Sequence, residues 1–501
     1  MCKIVLLFLL TILPVSLSAQ DDGFRKGNCL PALDQADQAA ARGPMRRLPA
    51  IYTLWDKDRV YRQAVVLVNF RDVKFGMEKP RETYDSLFNF NGFKGYNKRV
   101  GVGCVAEYFR EQSGGLCNLA FDVYGPVDID TLANPYVNPD ANTRNYGGEI
   151  FRTAMTKVAE ANPDVNYKEY DWNNDGSVNQ VIFIYAGMGG NQGAKSYGYV
   201  WPNTGTFSVL TLPGGVRVDD YTSSAEHWQN GVSCGLGTVC HEFSHSLGLP
   251  DLYPVPASSD YYSVVDEWDL MDGGNFTNYG WCPPNYSPHE KMLMGWLKPT
   301  ELSEPTTITG LKPVSEGGET YLIKKNGSQF WLLENRQWTG WDLGSPGCGL
   351  VVYAVDYNEA SWRSNHVNAN YTSPRYQLVH ADGLDYNAWD NLLVARGMSS
   401  QYAKSPRLHN YHLSTSPFPW SSDSTATVNA CPDAQLTNIR MTDDGLVSFD
   451  FMGGDPDAIS SLVTRDLTPM VYNLNGRRVS DARRGVFIEV RPDGSIRKVL
   501  R

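Results

Sequence analysis

Two histidines and a glutamate in the middle of the chain have the spacing of a metal site. His241 and His245 are four residues apart in the string HEFSHSLGLPD, so on a helix they lie one turn apart on the same face. Two imidazoles arranged in this way can bind one cation through their ring nitrogens. Gly248 is placed to end the helix and to turn the chain back. The alternative is a helix that presents two histidines to solvent.

A third ligand and a catalytic base are expected beside these histidines. Asp251 follows Gly248 by three residues and can return to the ion, unless its carboxylate only caps the turn before Leu252. Two neutral imidazoles and one carboxylate leave the fourth position of a tetrahedral zinc ion for water, as in catalytic sites. Zinc lowers the pKa of such a water to about 7, and Glu242 can then take its proton. The pattern predicts metal-dependent hydrolysis.

The string from His241 to Asp251 resembles the zinc motif of the immune inhibitor A family of bacterial metallopeptidases. That motif is similar to the metzincin signature, with Asp in place of the last His. The likeness extends in collinear order from about Ala64 to Pro419. Segments that resemble recurring blocks of the family are VAEYFREQSGG (105–115), DWNNDGSVNQVIFIYAG (171–187), WDLMDGG (268–274), SPHEKMLMGWLKP (287–299), WLLENRQWTGWD (331–342), PGCGLVVYAVD (346–356) and HADG (380–383).

The resemblance implies a fold, an activity and one further residue of the site. The expected fold class is α+β, with a zincin- or metzincin-like catalytic domain followed by a C-terminal β region. The expected activity is that of a secreted zinc-dependent endopeptidase that cleaves extracellular proteins. Met271 would supply the methionine turn beneath the zinc, the alternative being an ordinary core methionine. A catalytically inactive binding or adhesion protein is the competing hypothesis, and an intact Glu242 argues against it.

A second candidate site is a run of oxygen-bearing side chains around Gly176. Such residues at alternate positions resemble the first part of a calcium-binding loop. Position twelve is Ile182 rather than Glu, so the run is not a complete EF-hand. A structural calcium ion and a polar turn leading into the next strand are both open interpretations. The five candidate calcium ligands are Asp171, Asn173, Asp175, Ser177 and Asn179.

Other local patterns carry weaker hypotheses. GVSCG (231–235) matches the G-x-S-x-G elbow of serine hydrolases, with Ser233 as nucleophile. AEHWQN before it does not resemble the buried strand that an elbow needs, so this remains a remote alternative. Tyr279 and Tyr286 are candidates to hydrogen-bond an oxyanion, although aromatic packing is the favoured interpretation of both.

The elements that must position these residues are predicted from hydrophobic patterns. Continuous β-branched and apolar runs are typical of buried strands, and helical periodicity occurs between them. After about Thr415, short alternating strands such as 445–451 indicate a small β region. The runs predict strands over 64–70, 181–186 and 349–355, and helices over 105–112 and 149–161.

The two ends of the chain have their own patterns. Lys3, an apolar run over 4–13 and small residues up to Ala19 have the layout of a secretory signal peptide, and the run is too short to span a bilayer. Residues 20–50, with the basic pair Arg46 and Arg47, are either a pro-segment that keeps a zymogen latent or a disordered leader. In a latent form, Cys29 could ligand the zinc. The last residues resemble C-terminal sorting modules of Bacteroidetes-type secreted proteins, with a hairpin at Asp493 and Gly494.

These patterns divide the chain into five segments. The expected boundaries are a signal peptide over 1–19, a pro-segment over 20–50, a catalytic domain over 51–415, a small β region over 416–455 and a sorting module over 456–501. A further β hairpin packed on the preceding domain is the alternative for the last of them.

Composition and cysteine content narrow the class of protein. The net charge is −11, from 44 basic and 55 acidic residues, which leaves no large positive field for nucleic acid. The expected partners are protein or peptide substrates, and the sequence predicts no transmembrane segment. Outside the presumed signal there are eight cysteines, an even set compatible with disulfides in an oxidising compartment. Cys104 and Cys117 form the favoured pair, and eight buried thiols are the alternative.

Overall fold

The computed structural model describes twelve stretches of the chain. They are residues 50–96, 101–136, 145–192, 196–255, 264–370, 373–399, 412–419, 426–428, 435–454, 470–473, 486–490 and 496–500. The predicted signal peptide, the pro-segment up to residue 49 and the turn at Asp493 and Gly494 lie outside the described residues.

The first sheet carries two of the three buried strands that the sequence predicts, those over 64–70 and 181–186, and the third, over 349–355, lies in the second sheet. The order of the first sheet is β2-β1-β3-β5-β4, in which β4 alone is antiparallel to its neighbour. β1 is buried along almost its whole length, as expected of a central strand covered on both faces. The strands are β1 (Tyr61–Asn69), β2 (Leu119–Asp128), β3 (Val181–Met188), β4 (Thr204–Thr211) and β5 (Arg217–His227).

A second and a third sheet follow in the chain. The second has the order β11-β10-β9-β8-β6, and the third the order β12-β13-β14-β7. Because β7 pairs with β14, the small β region shares a sheet with a strand that precedes the predicted boundary near residue 415. The strands are β6 (Thr300–Glu301), β7 (Thr306–Leu311), β8 (Tyr321–Asn326), β9 (Gln329–Arg336), β10 (Gly349–Asp356), β11 (Tyr376–Leu378), β12 (Ala426–Val428), β13 (Leu436–Met441) and β14 (Val447–Phe451).

The helices are short and lie between the strands. The predicted helix over 105–112 has those same bounds, and the one predicted over 149–161 begins one residue earlier. The α-helices are α1 (Pro80–Asn89), α2 (Val105–Gln112), α3 (Gly148–Ala161), α4 (Gly237–Ser246), α5 (Pro288–Leu293), α6 (Glu359–Arg363) and α7 (Tyr386–Ala395). The 3₁₀ segments are Tyr167–Tyr170, Pro213–Gly215, Asp266–Trp268, Gly273–Gly280, Val314–Glu316 and Gly340–Gly344.

One hydrophobic core joins the first and second sheets. It contains Val65 of β1, Phe243 of α4 and Leu332 of β9, all fully buried. Helices and sheets are therefore mixed within one packed unit, which agrees with the predicted α+β class. Among the described residues, none of the helices combines the length and the apolar character that a membrane span requires.

A fourth sheet lies near the C-terminus. It consists of β15 (Met470–Asn473), β16 (Val486–Val490) and β17 (Ile496–Leu500). Val490 pairs with Ile496 in antiparallel register, as the two ends of a hairpin do. The strand-rich character that the sequence predicts for the last segment is present, and its role in sorting stays a prediction.

The predicted disulfide between Cys104 and Cys117 is wrong, because both are free thiols. The Sγ of Cys104 instead accepts a hydrogen bond from the N–H of Glu107 at 3.3 Å and caps the start of α2. Cys117 is enclosed in the main core, and burial raises the pKa of its thiol well above the ordinary value. Cys234, Cys240 and Cys282 are also free and buried, whereas Cys348 is disulfide-bonded.

Candidate metal centre

Helix α4 carries the two histidines, and glycines define both of its ends. A Cβ at Gly237 would lie 2.1 Å from the carbonyl oxygen of Asn275, so only glycine fits where the helix begins. At the other end Gly248 has a φ of 103°, a conformation that favours glycine. Its N–H donates to the carbonyl of His245 at 2.9 Å. The predicted end of the helix at Gly248 is thus confirmed.

The two imidazoles and Asp251 meet at one point. The Nε2 atoms of His241 and His245 each lie 3.2 Å from the same oxygen, Oδ1 of Asp251. The two rings are nearly perpendicular, at 89°, so their in-plane lone pairs can converge on one position. All three side chains are fully buried. The sequence-predicted ligands therefore come together with donor atoms that suit zinc, which binds nitrogen and carboxylate oxygen.

Backbone carbonyls orient both rings. Nδ1 of His241 lies 2.7 Å from the carbonyl oxygen of Leu270, and Nδ1 of His245 lies 2.8 Å from that of Leu249. Because a carbonyl oxygen only accepts, each Nδ1 carries a proton. Each Nε2 is then the ring nitrogen that faces Asp251. Such outer partners are what fixes the tautomer of a metal-binding histidine.

Asp251 remains a carboxylate in this environment. Burial alone would raise the pKa of its side chain, but the neighbouring His245 and His241 lower it below the ordinary value. Its backbone N–H and its Oδ2 both hydrogen-bond to Asn365, which is 114 residues further along the chain. Sequence reasoning missed Asn365, since no local pattern marks a lone asparagine after a short helix.

Glu242 lies next to the first histidine and is fully buried. The hydroxyl of Thr204, the first residue of β4, donates to the backbone carbonyl of Glu242 at 2.6 Å and lies 3.3 Å from its Oε2. The edge strand β4 therefore reaches the glutamate that the sequence predicts as catalytic base. Thr204 is a second residue that the sequence analysis did not identify.

Met271 lies in a turn that touches both halves of the candidate site. The preceding residue, Leu270, accepts the hydrogen bond from His241. The carbonyl of Met271 itself accepts from the N–H of Leu252 at 2.8 Å, next to Asp251. Met271 is fully buried, and its N–H donates to Oδ1 of Asp269 at 2.8 Å. This turn thus braces the candidate ligands through its backbone, and its role as a methionine turn beneath a zinc ion stays a prediction.

A buried carboxyl pair links this turn to helix α5. The side chains of Asp269 and Glu290 are both buried, and burial and then the charge of Asp269 raise the pKa of Glu290 well above its ordinary value. Burial also raises the pKa of Asp269, to about 6. Ser287 donates from its N–H and its hydroxyl to Oε2 of Glu290 at 2.9 and 3.0 Å. Such a pair is stable when it holds a proton.

This pair predicts a pH dependence of stability. Both carboxyls have a higher pKa in the folded chain than the ordinary value of about 4, so the folded state binds more protons above that pH. The free energy of unfolding should therefore fall as pH rises from about 4 through 6, by at most about 1.4 kcal/mol per pH unit for each proton. Glu290→Gln should flatten this part of a denaturant-unfolding series, and the exposed Glu316→Gln should not. A wild-type slope that survives Glu290→Gln would contradict the assignment.

The candidate calcium ligands form a network of local hydrogen bonds. Oδ1 and Oδ2 of Asp171 accept from the N–H groups of Asp175 and Gly176 at 3.1 and 2.9 Å. Oδ1 of Asn179 accepts from the N–H of Trp172 at 2.6 Å, and Oδ1 of Asp175 from that of Ser177 at 2.9 Å. Asn173 donates to Asp175 at 2.9 Å. This arrangement favours the polar-turn interpretation, and calcium binding stays a prediction.

The remaining candidates do not join the metal centre. Ser233 Oγ accepts from the hydroxyl of Tyr96 at 2.7 Å rather than pairing with a histidine. Tyr286 is fully buried, and its hydroxyl hydrogen-bonds to Ser244 of α4, so it packs as the sequence analysis favoured. Tyr279 is partly exposed, and no contact described for it tests the oxyanion hypothesis.

A second group of possible metal ligands occurs within the described part of the chain, at His380, Asp382 and His412. Here the two imidazoles are stacked in parallel, with centroids 4.5 Å apart and planes at 4°. A single ion cannot lie in the planes of two stacked rings. Nδ1 of His412 instead lies 3.2 Å from Oδ2 of Asp382. The group at His241 is therefore the better metal centre.

The region around the candidate metal centre is similar to one family of known proteins. Residues 73–294 match the family model of the immune inhibitor A peptidase M6 catalytic domain. The chain is 22% identical over 286 residues to the pre-pro-metalloprotease PrtV of Vibrio cholerae, which covers 50% of this chain and 30% of that protein. It is 25% identical over 278 residues to immune inhibitor A of Bacillus thuringiensis subsp. alesti, which covers 47% of this chain and 39% of that protein. The chain thus spans well under half the length of these relatives, and its residues 73–294 are similar to the catalytic domain of the immune inhibitor A (M6) peptidases.

Proposed function

We propose that this protein is a secreted zinc-dependent endopeptidase that cleaves peptide bonds in extracellular proteins. The observation that carries the proposal is the meeting of His241 Nε2, His245 Nε2 and Asp251 Oδ1 beside Glu242, inside a segment that matches a peptidase family. A zincin-like catalytic domain is supported by the mixed sheet with the histidine-bearing helix packed against β5.

The donor set fits zinc on chemical grounds. His241, His245 and Asp251 would hold the ion, and three protein ligands are the usual number in catalytic zinc sites. Because Nδ1 of each ring donates to the carbonyl of Leu270 or Leu249, Nε2 is the ring nitrogen that would bind the ion. When bound, zinc polarises the substrate carbonyl and acidifies water.

Glu242 then acts as the general base. Its carboxylate takes a proton from the attacking water and later delivers it to the nitrogen of the departing amine. The hydroxyl of Thr204 lies 3.3 Å from Oε2 of Glu242 and limits the orientation of that carboxylate. Full burial of Glu242 keeps the proton transfer away from bulk solvent.

The position of strand β4 at the edge of the first sheet favours an extended polypeptide as substrate. In the described residues it is the outermost strand of the first sheet, and its first residue contacts Glu242. An extended peptide can add to such an edge through backbone hydrogen bonds. This mode recognises a polypeptide backbone largely independently of its side chains, as a protease with protein substrates requires.

Export and latency complete the proposal. The apolar run over 4–13 after Lys3 has the layout of a signal peptide, and the relative from Vibrio cholerae is named a pre-pro-metalloprotease. We infer that residues 1–19 direct export and that residues 20–50 form a pro-segment of the zymogen. Sorting by residues 456–501 and a structural calcium ion at Asp171 belong to the same proposal.

Removal of the metal tests the proposed function. Casein hydrolysis by the purified, processed protein should be lost with o-phenanthroline, because the chelator removes the ion that the proposed mechanism needs. The activity should return when zinc is restored. The measurement is the initial rate of casein cleavage, with the zinc content determined in parallel. Activity indifferent to the chelator would instead favour Ser233 and a serine-hydrolase mechanism.

The mode of cleavage needs a separate experiment. Digestion of a denatured protein, with the fragments mapped by mass spectrometry, should give internal cuts from the earliest time points. Fragments that shorten only from one end would show an enzyme that trims chain ends. A processed protein that binds zinc and cleaves nothing would favour the inactive binding protein.

A further inference from the structure

Asn365 holds the proposed third metal ligand with both functional groups of its amide. Its Oδ1 accepts from the backbone N–H of Asp251 at 2.7 Å, and its Nδ2 donates to Oδ2 of Asp251 at 2.8 Å. One residue thus contacts both the main chain and the side chain of Asp251. Only a side-chain amide supplies an acceptor and a donor side by side in this way.

The amide also determines which carboxylate oxygen faces the histidines. Because Oδ2 of Asp251 is engaged by Asn365, Oδ1 is the oxygen that lies 3.2 Å from both Nε2 atoms. Free rotation of the carboxylate would exchange the two oxygens or present both of them. The hydrogen bond to Oδ2 opposes that rotation.

We propose that Asn365 is a positioning residue of the metal centre, which fixes Asp251 so that Oδ1 alone is presented to the ion. The proposal rests on the function proposed above. It adds a residue from outside the segment over 73–294 that matches the family, and it assigns to this residue an effect on metal affinity and ligand geometry.

The backbone around Asn365 is built to keep the amide in place. Asn365 has a φ of 59°, in the left-handed region that asparagine tolerates better than most residues. It ends the turn after α6, where its N–H donates to the carbonyl of Trp362 at 3.2 Å and the N–H of His366 donates to that of Ser361 at 2.9 Å. The side chain of Trp362 is buried in the main core. The backbone turn and the packing of Trp362 therefore hold the amide in place.

Asn368 provides a matched control in the same loop. It is also a buried asparagine, and its Nδ2 donates to the carbonyl of Leu252 at 2.6 Å and to that of Tyr376 at 2.8 Å. It thus holds the residue next to Asp251, but it does not touch the carboxylate. Loss of Asn368 should loosen the loop without changing which oxygen Asp251 presents.

The test compares Asn365→Gly, Asn365→Asp and Asn368→Ala in the full processed chain. Glycine tolerates the positive φ, so Asn365→Gly removes the amide without backbone strain. Asn365→Asp keeps an acceptor for the N–H of Asp251 but loses the donor to Oδ2 and adds a second negative charge. The readouts are the visible absorption spectrum of the cobalt-substituted protein and the affinity for zinc and cobalt in competition with a chelator.

We expect both Asn365 variants to bind zinc about 10- to 100-fold more weakly and to show a changed cobalt spectrum. Asn368→Ala should retain the wild-type spectrum even if its melting temperature falls. Wild-type spectra and affinities in Asn365→Gly and Asn365→Asp would overturn the assignment, as would an equal change in Asn368→Ala. Wild-type protein that binds no cobalt, or that binds it unchanged after His241→Ala, would overturn the proposed metal centre itself and with it the role of Asn365.

Discussion

Glu242→Gln should lower the rate of protein hydrolysis by about 10²- to 10⁴-fold, the range in which a general base contributes to catalysis. Glutamine has nearly the shape of glutamate and can keep the contact with the hydroxyl of Thr204, but it cannot take a proton. The three proposed metal ligands are unchanged in this variant. Zinc content should therefore stay at the wild-type level while kcat falls.

The measurement is kcat and KM for a peptide substrate together with the zinc content of the same sample. Glu304→Gln is the matched control, because Glu304 is exposed and remote in sequence from the site. A Glu242→Gln variant that retains wild-type kcat would remove Glu242 from the mechanism. A variant that loses its zinc would instead show that the carboxylate supports the metal centre rather than proton transfer.

Arg336→Ala should destabilise the fold by about 3–5 kcal/mol, the usual effect of breaking a buried ion pair from one side. Nε of Arg336 lies 2.6 Å from Oε1 of Glu334, and Nη1 lies 2.6 Å from Oδ1 of Asp342, with all three side chains buried. Nη2 also donates to the carbonyls of Asn285 and Tyr286 at 3.1 and 3.2 Å. Alanine would leave the buried carboxylates of Glu334 and Asp342 without their ion-pair partner.

Equilibrium unfolding in urea measures this effect, with Arg375→Ala as the control. Arg375 pairs with Asp356 at 2.7 Å, but both side chains are 37% exposed, so its loss should cost less than about 1 kcal/mol. If Arg336→Ala does not fold, Arg336→Lys should still fold with an intermediate loss, because lysine keeps the charge but not the guanidinium geometry. Equal losses in the alanine variants at 336 and 375 would contradict the prediction.

The elements near the candidate site could be predicted because their determinants are local. The helix over 105–112 follows from an apolar periodicity within eight residues, and the end of α4 follows from one glycine. The ligand set His241, His245 and Asp251 lies within eleven residues, so spacing alone brings these side chains near each other once the helix and its turn form. Periodicity and turn chemistry act over the same short range.

The other features of the candidate site depend on contacts between residues that are far apart in sequence. Asn365 is 114 residues from Asp251, and Thr204 is 38 residues from Glu242, so no window of sequence contains either pair. The pairing of Cys104 with Cys117 was predicted from their proximity in sequence. It is wrong because Cys104 instead caps α2, a role that cysteine seldom takes. The shared sheet of β7 and β14 likewise needs the tertiary fold.

The hydrophobic core shared by the first and second sheets limits how far the chain can be truncated and still fold. A polypeptide cut after residue 294, where the family match ends, would keep every proposed zinc ligand and the base. It would lose Leu332 and Val351, which pack in the same core as Phe243, together with Arg336 and Asn365. The segment that matches the family is thus not the smallest autonomously folding unit of the molecule. Recombinant expression of the protein should extend at least through Leu413, which packs in the same core.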